Sequence, residues 1–517
     1  MSKVSVTTSQ ESSPSTSPPV SRTRKPAFRP RNSHFDRHNE EGGQQLFRGF
    51  WTLFWIMIFA GTLRILLDPQ HAALTFWQKH KFAHLISRNA LVLAASDFTL
   101  IGCSFLSLPF AILLKNGTIP YYNSGLILQH ILQTLLVCTV VVWTFYQNWY
   151  WVQSGYLTLH ALSMLMKLHS YIAHNGAMSH QYQISLKSQR KLDELIDSAG
   201  GLEPVIRSCK QSTLEVDQPP RGREDGLRQR KSTTTTVASG ETSKNGRMSF
   251  TTLARLGGSE NEKIAELSTE ILRIRHELTT DGPERVEYPE NLTLANFFDY
   301  LLVPTLVYEM EYPRTHKIRP LYLLEKVLAT FGTFTILILI VEYYILPVSE
   351  TMEDKSFLLN FLDLAVPFMV EYLLIFFIIF ECICTGFAEI TCFSDREFYQ
   401  DWWNSTSFDE FSRRWNVPVH TFLLKHVYNT TIDAYRLSKF HAAFVTFLLS
   451  ALVHEMVMIV VTKKFRLYLF VMQMCQLPMI MFGRLPVFRK YPAIGNLFFW
   501  LGLLAGFPLL AIGYLRY

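Results

Sequence analysis

The side chains best suited to chemistry lie between residues 393 and 455. An apolar helical run there carries Ser450-Ala451-Leu452-Val453-His454-Glu455. Histidine is the usual general base near neutral pH, with an unperturbed pKa of about 6.5. Away from water the neutral imidazole is favoured over the imidazolium. His454 would then accept a proton from an alcohol that arrives through lipid. Taken alone, a hydrogen-bonded structural histidine is the plainer reading of that residue.

The block just before it changes the balance. Phe398, Tyr399, Trp402, Trp403, Phe408, Phe411, Trp415 and Phe422 stand beside Arg396, Arg413, Arg414, His420, Lys425 and His426. Aromatic rings embed at a membrane interface or stack on an adenine, and basic side chains hold phosphates. A molecule with a nucleotide head and a fatty tail, such as acyl-CoA, would use both. An interfacial segment with an aromatic belt has the same composition. No Cys or Ser is paired with His454 in the manner of a catalytic triad. No cluster of metal ligands is recognisable either.

Long apolar runs must position these groups. A membrane-spanning helix needs ~20 apolar residues. The sequence of 517 residues offers nine such runs, at 50–67, 91–113, 126–146, 156–172, 328–347, 357–384, 441–462, 465–483 and 493–515. The fourth is the weakest, since it carries His160, Lys167 and His169. Gln129, His130, Gln133, Glu342, Asp363, Glu371 and His454 are polar groups inside other runs. Such groups normally face a bundle interior or a wet cavity, which points to an internal chamber; helix–helix hydrogen bonding is the alternative for each. The 39 phenylalanines fit lipid-facing helices better than a soluble core.

Four regions follow. Residues 1–45, rich in Ser, Pro and Arg, read as a disordered tail. Residues 46–172 hold the first four spans. Residues 173–325 form a polar loop, disordered over 208–250, with an amphipathic helix over 259–280 that docks on the membrane or a partner. Ser259 and Glu262 could form its capping box. Residues 326–517 hold the last five spans and the polar aromatic block. No apolar leader opens the chain, so the first span would act as its own insertion signal. Arg22, Arg24, Lys25, Arg29, Arg31, Arg37 and Arg48 put the tail in the cytosol. The central loop, 386–440 and the 484–492 turn then share that side. Lys463, Lys464 and Arg466 dissent, because they fall on the lumenal side. The net charge of +6 is mild and gathers in the tail and central loop, so nucleic acid is not the expected partner. Seven cysteines without a CxxC pair indicate neither a zinc site nor a disulfide framework.

The run Phe398-Tyr399-Gln400-Asp401-Trp402-Trp403-Asn404 resembles the FYxDWWN signature of the acyl-CoA:sterol and acyl-CoA:diacylglycerol acyltransferases, within the membrane-bound O-acyltransferase (MBOAT) superfamily. The likeness continues through Arg414-Trp415-Asn416-Val417-Pro418-Val419-His420 and Ser450…His454-Glu455. It extends back through Tyr312-Pro313-Arg314-Thr315 and Lys167-Leu168-His169-Ser170-Tyr171. Asp395-Arg396-Glu397, Phe422–Tyr428 and Ile494-Gly495-Asn496 resemble the fungal sterol branch, the ACAT-related enzymes. The diacylglycerol branch shares the signature.

The resemblance implies an all-α polytopic membrane protein of the MBOAT fold, with about nine transmembrane helices around an intramembrane chamber. It implies a sterol O-acyltransferase of the endoplasmic reticulum membrane, multi-pass with a cytosolic N-terminus. Such an enzyme makes steryl esters from long-chain acyl-CoA and membrane sterol and is a homodimer or homotetramer. Acyl-CoA is then a co-substrate, with no cofactor and no metal. His454 matches the catalytic histidine, with Asn416 and Trp415 beside it. Arg413, Asn416, His420, Tyr428, Lys439 and Ser450 match acyl-CoA-contacting positions. Glu410 replaces an Asn of the animal enzymes and is not carried over. Phe398, Tyr399, Asp401, Trp402, Trp403 and Asn404 would support the wall of the site. The alternatives are a diacylglycerol O-acyltransferase and, more remotely, a polytopic transporter or receptor.

Overall fold

The computed structural model describes residues 28–33, 87–209 and 248–516. The expected span at 50–67 and most of the tail lie outside the described residues, as does most of 208–250. Among the described residues, six helices are long and apolar enough to cross a membrane. Two of them, α1 (Ala90–Lys115) and α2 (Tyr121–Tyr146), precede a long helix α3 (Trp151–Ser198). The amphipathic helix α4 (Glu262–Glu277) follows. Then come α5 (Pro320–Glu350), α6 (Phe357–Ile390), the short α7 (Val417–Leu423), α8 (Lys439–Thr462), α9 (Tyr468–Gly483) and α10 (Pro492–Arg516).

Of the three other expected runs, that at 50–67 lies outside the described residues, and two differ for physical reasons. The run at 465–483 forms α9, an apolar helix too short to qualify. The run at 156–172 is only part of α3, whose 48 residues extend about 72 Å at 1.5 Å per residue. Lys167 is buried in it because its Nζ donates to the Tyr300 and Val303 carbonyls, at 2.9 and 2.7 Å. It thereby satisfies the C-terminal end of the helix Leu294–Leu302, where a cation is favoured. The helix does not stop at 172, so the start of the central region is a continuation of α3 and not loop.

The lysines that dissented from the charge rule have similar uses. Lys464 Nζ donates to the Tyr514 carbonyl at 2.8 Å, and Lys463 Nζ reaches the Thr144 carbonyl at 3.4 Å. Both carbonyls lie in the last turn of a helix, α10 and α2 respectively. Several of the polar groups within spans also link helices. Gln129 and Gln133 of α2 both come within 3.2 Å of His169 Nδ1 on α3. Asp363 pairs with Lys355 at 2.7 Å. Glu371 is buried, with Oε1 lacking a partner among the described residues.

Helix α4 corrects the expectation at its start and on its face. Its cap is Asn261, whose side chain accepts from the Lys263 amide at 3.2 Å. Ser259 instead accepts from the Asn261 amide. Ile264 and Ile271 are buried against α3 and the helix Phe250–Leu256, and Ile274 is buried in the main core. The apolar stripe is therefore covered by this chain itself.

The main core is aromatic. It joins α1, α3, the segment Phe297–Tyr312, α6, the signature run and α10. Residues 28–33, expected to be part of a disordered tail, pack on this core's edge through Phe28, whose ring lies 5.4 Å from that of Tyr312.

Candidate active site

Helix α8 begins where Ser438 accepts the His441 amide, and ends at Lys463 in the left-handed conformation (φ 57°). His454 lies in its second half and is exposed, whereas its neighbours Ala451 and Glu455 are buried. Its Nδ1 is 2.7 Å from the Ser450 carbonyl oxygen. A carbonyl can only accept, so Nδ1 carries the hydrogen, and in the neutral ring Nε2 keeps the lone pair. That is the tautomer a general base needs. Ser450 Oγ sits 3.4 Å from the same Nδ1. This side of the ring has already given its hydrogen to the carbonyl, so it cannot activate Ser450 as a nucleophile.

Glu455 was not assigned a role from sequence. Its buried carboxylate accepts from the Leu467 and Phe470 amides at 3.0 and 2.9 Å, and from the Tyr514 hydroxyl at 2.7 Å. It caps the start of α9 and ties α10 to α8. The signal was present as a carboxylate beside His454 in an apolar run, where an ionisable group needs partners.

Asn416 stands at the N-cap of α7, ahead of Val417 and Pro418 at the first two helical positions. Proline is favoured there, because its missing N–H is not needed. Asn416 Oδ1 accepts from the Val419 amide at 3.1 Å. The cap fixes which end of the amide faces the helix and turns the two Nδ2 hydrogens away from it. The half-buried Trp415 stacks on Tyr372 of α6, with ring centres 4.7 Å apart and planes at 17°. It also meets Trp402 edge-on at 5.4 Å. Such aromatic pairs contribute about 0.5–1.5 kcal/mol each beyond their buried area.

The signature run builds the wall behind this pair. The Phe398 carbonyl accepts from the Val417 amide at 3.0 Å, and the Gln400 amide donates to the Arg414 carbonyl at 2.8 Å. The buried Tyr399 hydroxyl donates to Glu381 at 2.7 Å. Glu381 in turn pairs with Lys326 at 3.1 Å. Asp401 pairs with Arg414 at 3.0 Å. Trp402 is buried at the centre of the aromatic core. The Trp403 carbonyl accepts from Asn496 Nδ2 and Trp500 Nε1 of α10, at 3.0 and 3.1 Å. Asn404 is exposed, and its amide closes a turn onto the Asp401 carbonyl. Glu410 accepts from the Thr406 amide and pairs with Arg414, so it secures the helix Phe408–Arg414.

The remaining candidates lie between residues 413 and 450. Arg413 is exposed and pairs with Asp409 at 2.5 Å. His420 is half-buried on α7; burial, helped by the positive charge of Arg413, holds its pKa below the ordinary imidazole value. Tyr428 is half-buried in a widened π-helical turn, Leu424–Asn429, which packs on α8. Lys439 is exposed at the start of α8, and Ser450 is half-buried one turn before His454. Fifteen residues of helix put Lys439 about 22 Å from His454 along the axis. Asn416 and His454 share no hydrogen bond among the described residues. Phe447 of α8 touches the aromatic core that contains Trp415.

His454 on the apolar helix α8, Asn416 at the cap of α7 and the basic Arg413 and Lys439 are the groups the structure offers for chemistry. The chain belongs to the membrane-bound O-acyltransferase family, whose model matches residues 210–516. It is similar to the probable sterol O-acyltransferase 1 of Schizosaccharomyces pombe, with 34% identity over 94% of this chain and 86% of that protein. Sterol O-acyltransferase 2 of Saccharomyces cerevisiae is 29% identical over 91% of this chain and 67% of its own length. Diacylglycerol O-acyltransferase 1 of Dictyostelium discoideum is 35% identical, but over 44% of this chain and 38% of that protein.

Proposed function

We propose that this multi-pass membrane enzyme is an acyl-CoA:sterol O-acyltransferase. It transfers a long-chain acyl group to the sterol 3-hydroxyl and makes steryl esters. The observation that carries the chemistry is the hydrogen bond from His454 Nδ1 to the Ser450 carbonyl, which leaves Nε2 as the base. Nε2 takes the hydroxyl proton as the sterol oxygen attacks the thioester carbonyl. Asn416 Nδ2 donates to the oxygen on which charge develops. The C–S bond then breaks, and the CoA sulfur leaves with the proton held on Nε2. The proton count closes without a covalent acyl-enzyme.

The choice of sterol over diacylglycerol is supported by the extent of similarity. The sterol relatives align over nearly the whole chain, and the diacylglycerol relative over less than half of it. Incubating the purified protein with labelled oleoyl-CoA and either a sterol or a diacylglycerol tests this directly. Steryl ester as the labelled product supports the proposal; triacylglycerol overturns it. No consumption of thioester would favour a transporter or receptor.

The acyl-CoA candidates divide by position. Arg413, His420, Tyr428 and Lys439 would hold the CoA head group and arm, and Ser450 lies nearer the base. The ~22 Å from Lys439 to His454 suits a long, thin ligand. A phosphate-binding charge stabilises ground and transition states alike, so its loss raises KM and spares kcat. Lys439→Ala is therefore expected to shift the acyl-CoA saturation curve and leave the sterol curve alone. A lower kcat at saturating acyl-CoA with an unchanged KM would refute this CoA site.

The enzyme is proposed to reside in the endoplasmic reticulum as a dimer or tetramer, with a cytosolic N-terminus. The tail, central segment and residues 386–440 then share the cytosol. The sequons at Asn116, Asn291, Asn404 and Asn429 are expected to stay unglycosylated. Asn291 is independently excluded, since it is buried and donates to Asn175 and Tyr308. A glycosidase-sensitive mass shift that vanishes in an Asn→Gln variant at Asn116, Asn404 or Asn429 would invert the topology.

A further inference from the structure

Residues 28–33 lie along the loop that leads into the signature run. The Arg31 amide donates to the Ser394 carbonyl at 3.0 Å, and the Arg396 amide donates to the Arg31 carbonyl at 2.9 Å. The Arg29 amide donates to Asp395 Oδ2 at 3.1 Å. The Arg31 guanidinium grips Asp395 through Nε and Nη2, both at 2.8 Å, and also contacts Glu397. Bidentate, charge-assisted pairs of this kind are both strong and directional. Phe28 packs on Tyr312 and on Phe393. Ser33 is buried and donates to Glu381, the carboxylate that also receives Tyr399 and Lys326.

The contacts continue from this strap to the site. Asp395 is 4% exposed, so Arg31 compensates a carboxylate with little access to water. Three residues later the Phe398 carbonyl receives the Val417 amide, next to Asn416. Tyr399, beside Phe398, shares Glu381 with Ser33. Arg413 and Lys439 have no hydrogen bond to the strap among the described residues.

We propose that Arg31 is a positioning residue for acyl transfer: through Asp395 it fixes the loop that sets the Phe398–Val417 hydrogen bond and hence the Asn416 amide. This rests on the acyltransferase reading above. Loss of the strap lowers turnover and spares acyl-CoA binding, because the strap is joined to the wall of the site and not to its phosphate-binding residues. Displacing a catalytic group by about 1 Å can cost up to ~10²-fold in rate.

The test uses full-length Arg31→Ala and Arg31→Lys proteins, with acyl-CoA varied and thermal unfolding followed on the same samples. Arg31→Ala is expected to lower kcat about tenfold with acyl-CoA KM within about twofold of wild type, the signature of a transition-state effect. Arg31→Lys keeps the charge without the fork and should recover part of the loss. Wild-type turnover in Arg31→Ala overturns the proposal. So does a raised KM at unchanged kcat, a loss that follows the folded fraction, or a lysine variant no better than alanine. If Arg31→Ala does not accumulate, Ser33→Asp sets a second carboxylate against Glu381 and loosens the strap with Arg31 in place; the same kinetic split is expected. Should both variants fail to accumulate, the strap is a folding element and the proposal falls. If the acyltransferase reading itself were wrong, wild-type protein would form no steryl ester.

Discussion

His454→Ala is expected to reduce acyl transfer by about 10²–10⁴-fold, the usual loss when a general base is removed. The fold should survive, because among the described residues the imidazole bonds only to Ser450 one turn earlier. The interactions that place α8 belong to Glu455, whose three bonds reach α9 and α10. Acyl-CoA binding should also persist, since Arg413, His420, Tyr428 and Lys439 lie elsewhere. Turnover and acyl-CoA binding measured on one purified preparation check both halves. A variant that expresses normally and keeps more than a few per cent of wild-type activity would show that another group takes the proton.

The tautomer of His454 illustrates what a sequence shows and what it leaves out. An apolar run with a histidine in its second half was legible, and so was the signature before it. The Ser450 carbonyl as the partner of Nδ1 was not, because any helical residue has a carbonyl four positions earlier, and side-chain rotation decides whether it is used. The spans followed from hydropathy, with α1, α8 and α10 within two residues of their expected limits, while α2 and α5 start five and eight residues earlier and α6 ends six residues later. Length misled at α3, where polar residues after 172 suggested a loop although none of them breaks a helix. Ser259 and Asn261 are both good caps; Asn261 caps the helix, and Ser259 accepts from the Asn261 amide instead.

Long-range pairing was the least legible feature. The arginines of the tail read as a solvated basic stretch and a topology signal. Arg31 instead finds Asp395, a partner 364 residues away. Lys167 looked like an interruption of an apolar run, and Lys463 and Lys464 like charges on the wrong side of the membrane, yet each satisfies carbonyls near a helix end. In all these cases the charge was visible in the sequence and its use was not. A buried or interfacial cation is stable only with an acceptor, and folding decides which acceptor is close. Asn416 belongs to the same class, since its amide could cap a helix, serve the reaction, or do both.

Substitutions at Asn416 separate those two uses. Asn416→Ala removes the cap on the Val419 amide, a change that typically costs about 1 kcal/mol of stability. It also removes the Nδ2 donors, and loss of one oxyanion donor commonly lowers kcat by about 10²–10³-fold. The hydrogen bond should strengthen as charge develops on the carbonyl oxygen, so the effect belongs in kcat and not in acyl-CoA KM. Alanine alone confounds the two roles. Asn416→Asp keeps an acceptor for the Val419 amide, and aspartate caps as well as asparagine does. It has no N–H to offer the substrate, and its charge opposes a developing oxyanion. The aspartate variant is therefore expected to match wild type in thermal stability while losing turnover at least as severely as the alanine variant. Unfolding temperatures and kcat measured side by side decide the point. If Asn416→Asp retains near wild-type turnover, Asn416 serves the fold of α7 alone, and the oxyanion must be stabilised by another donor.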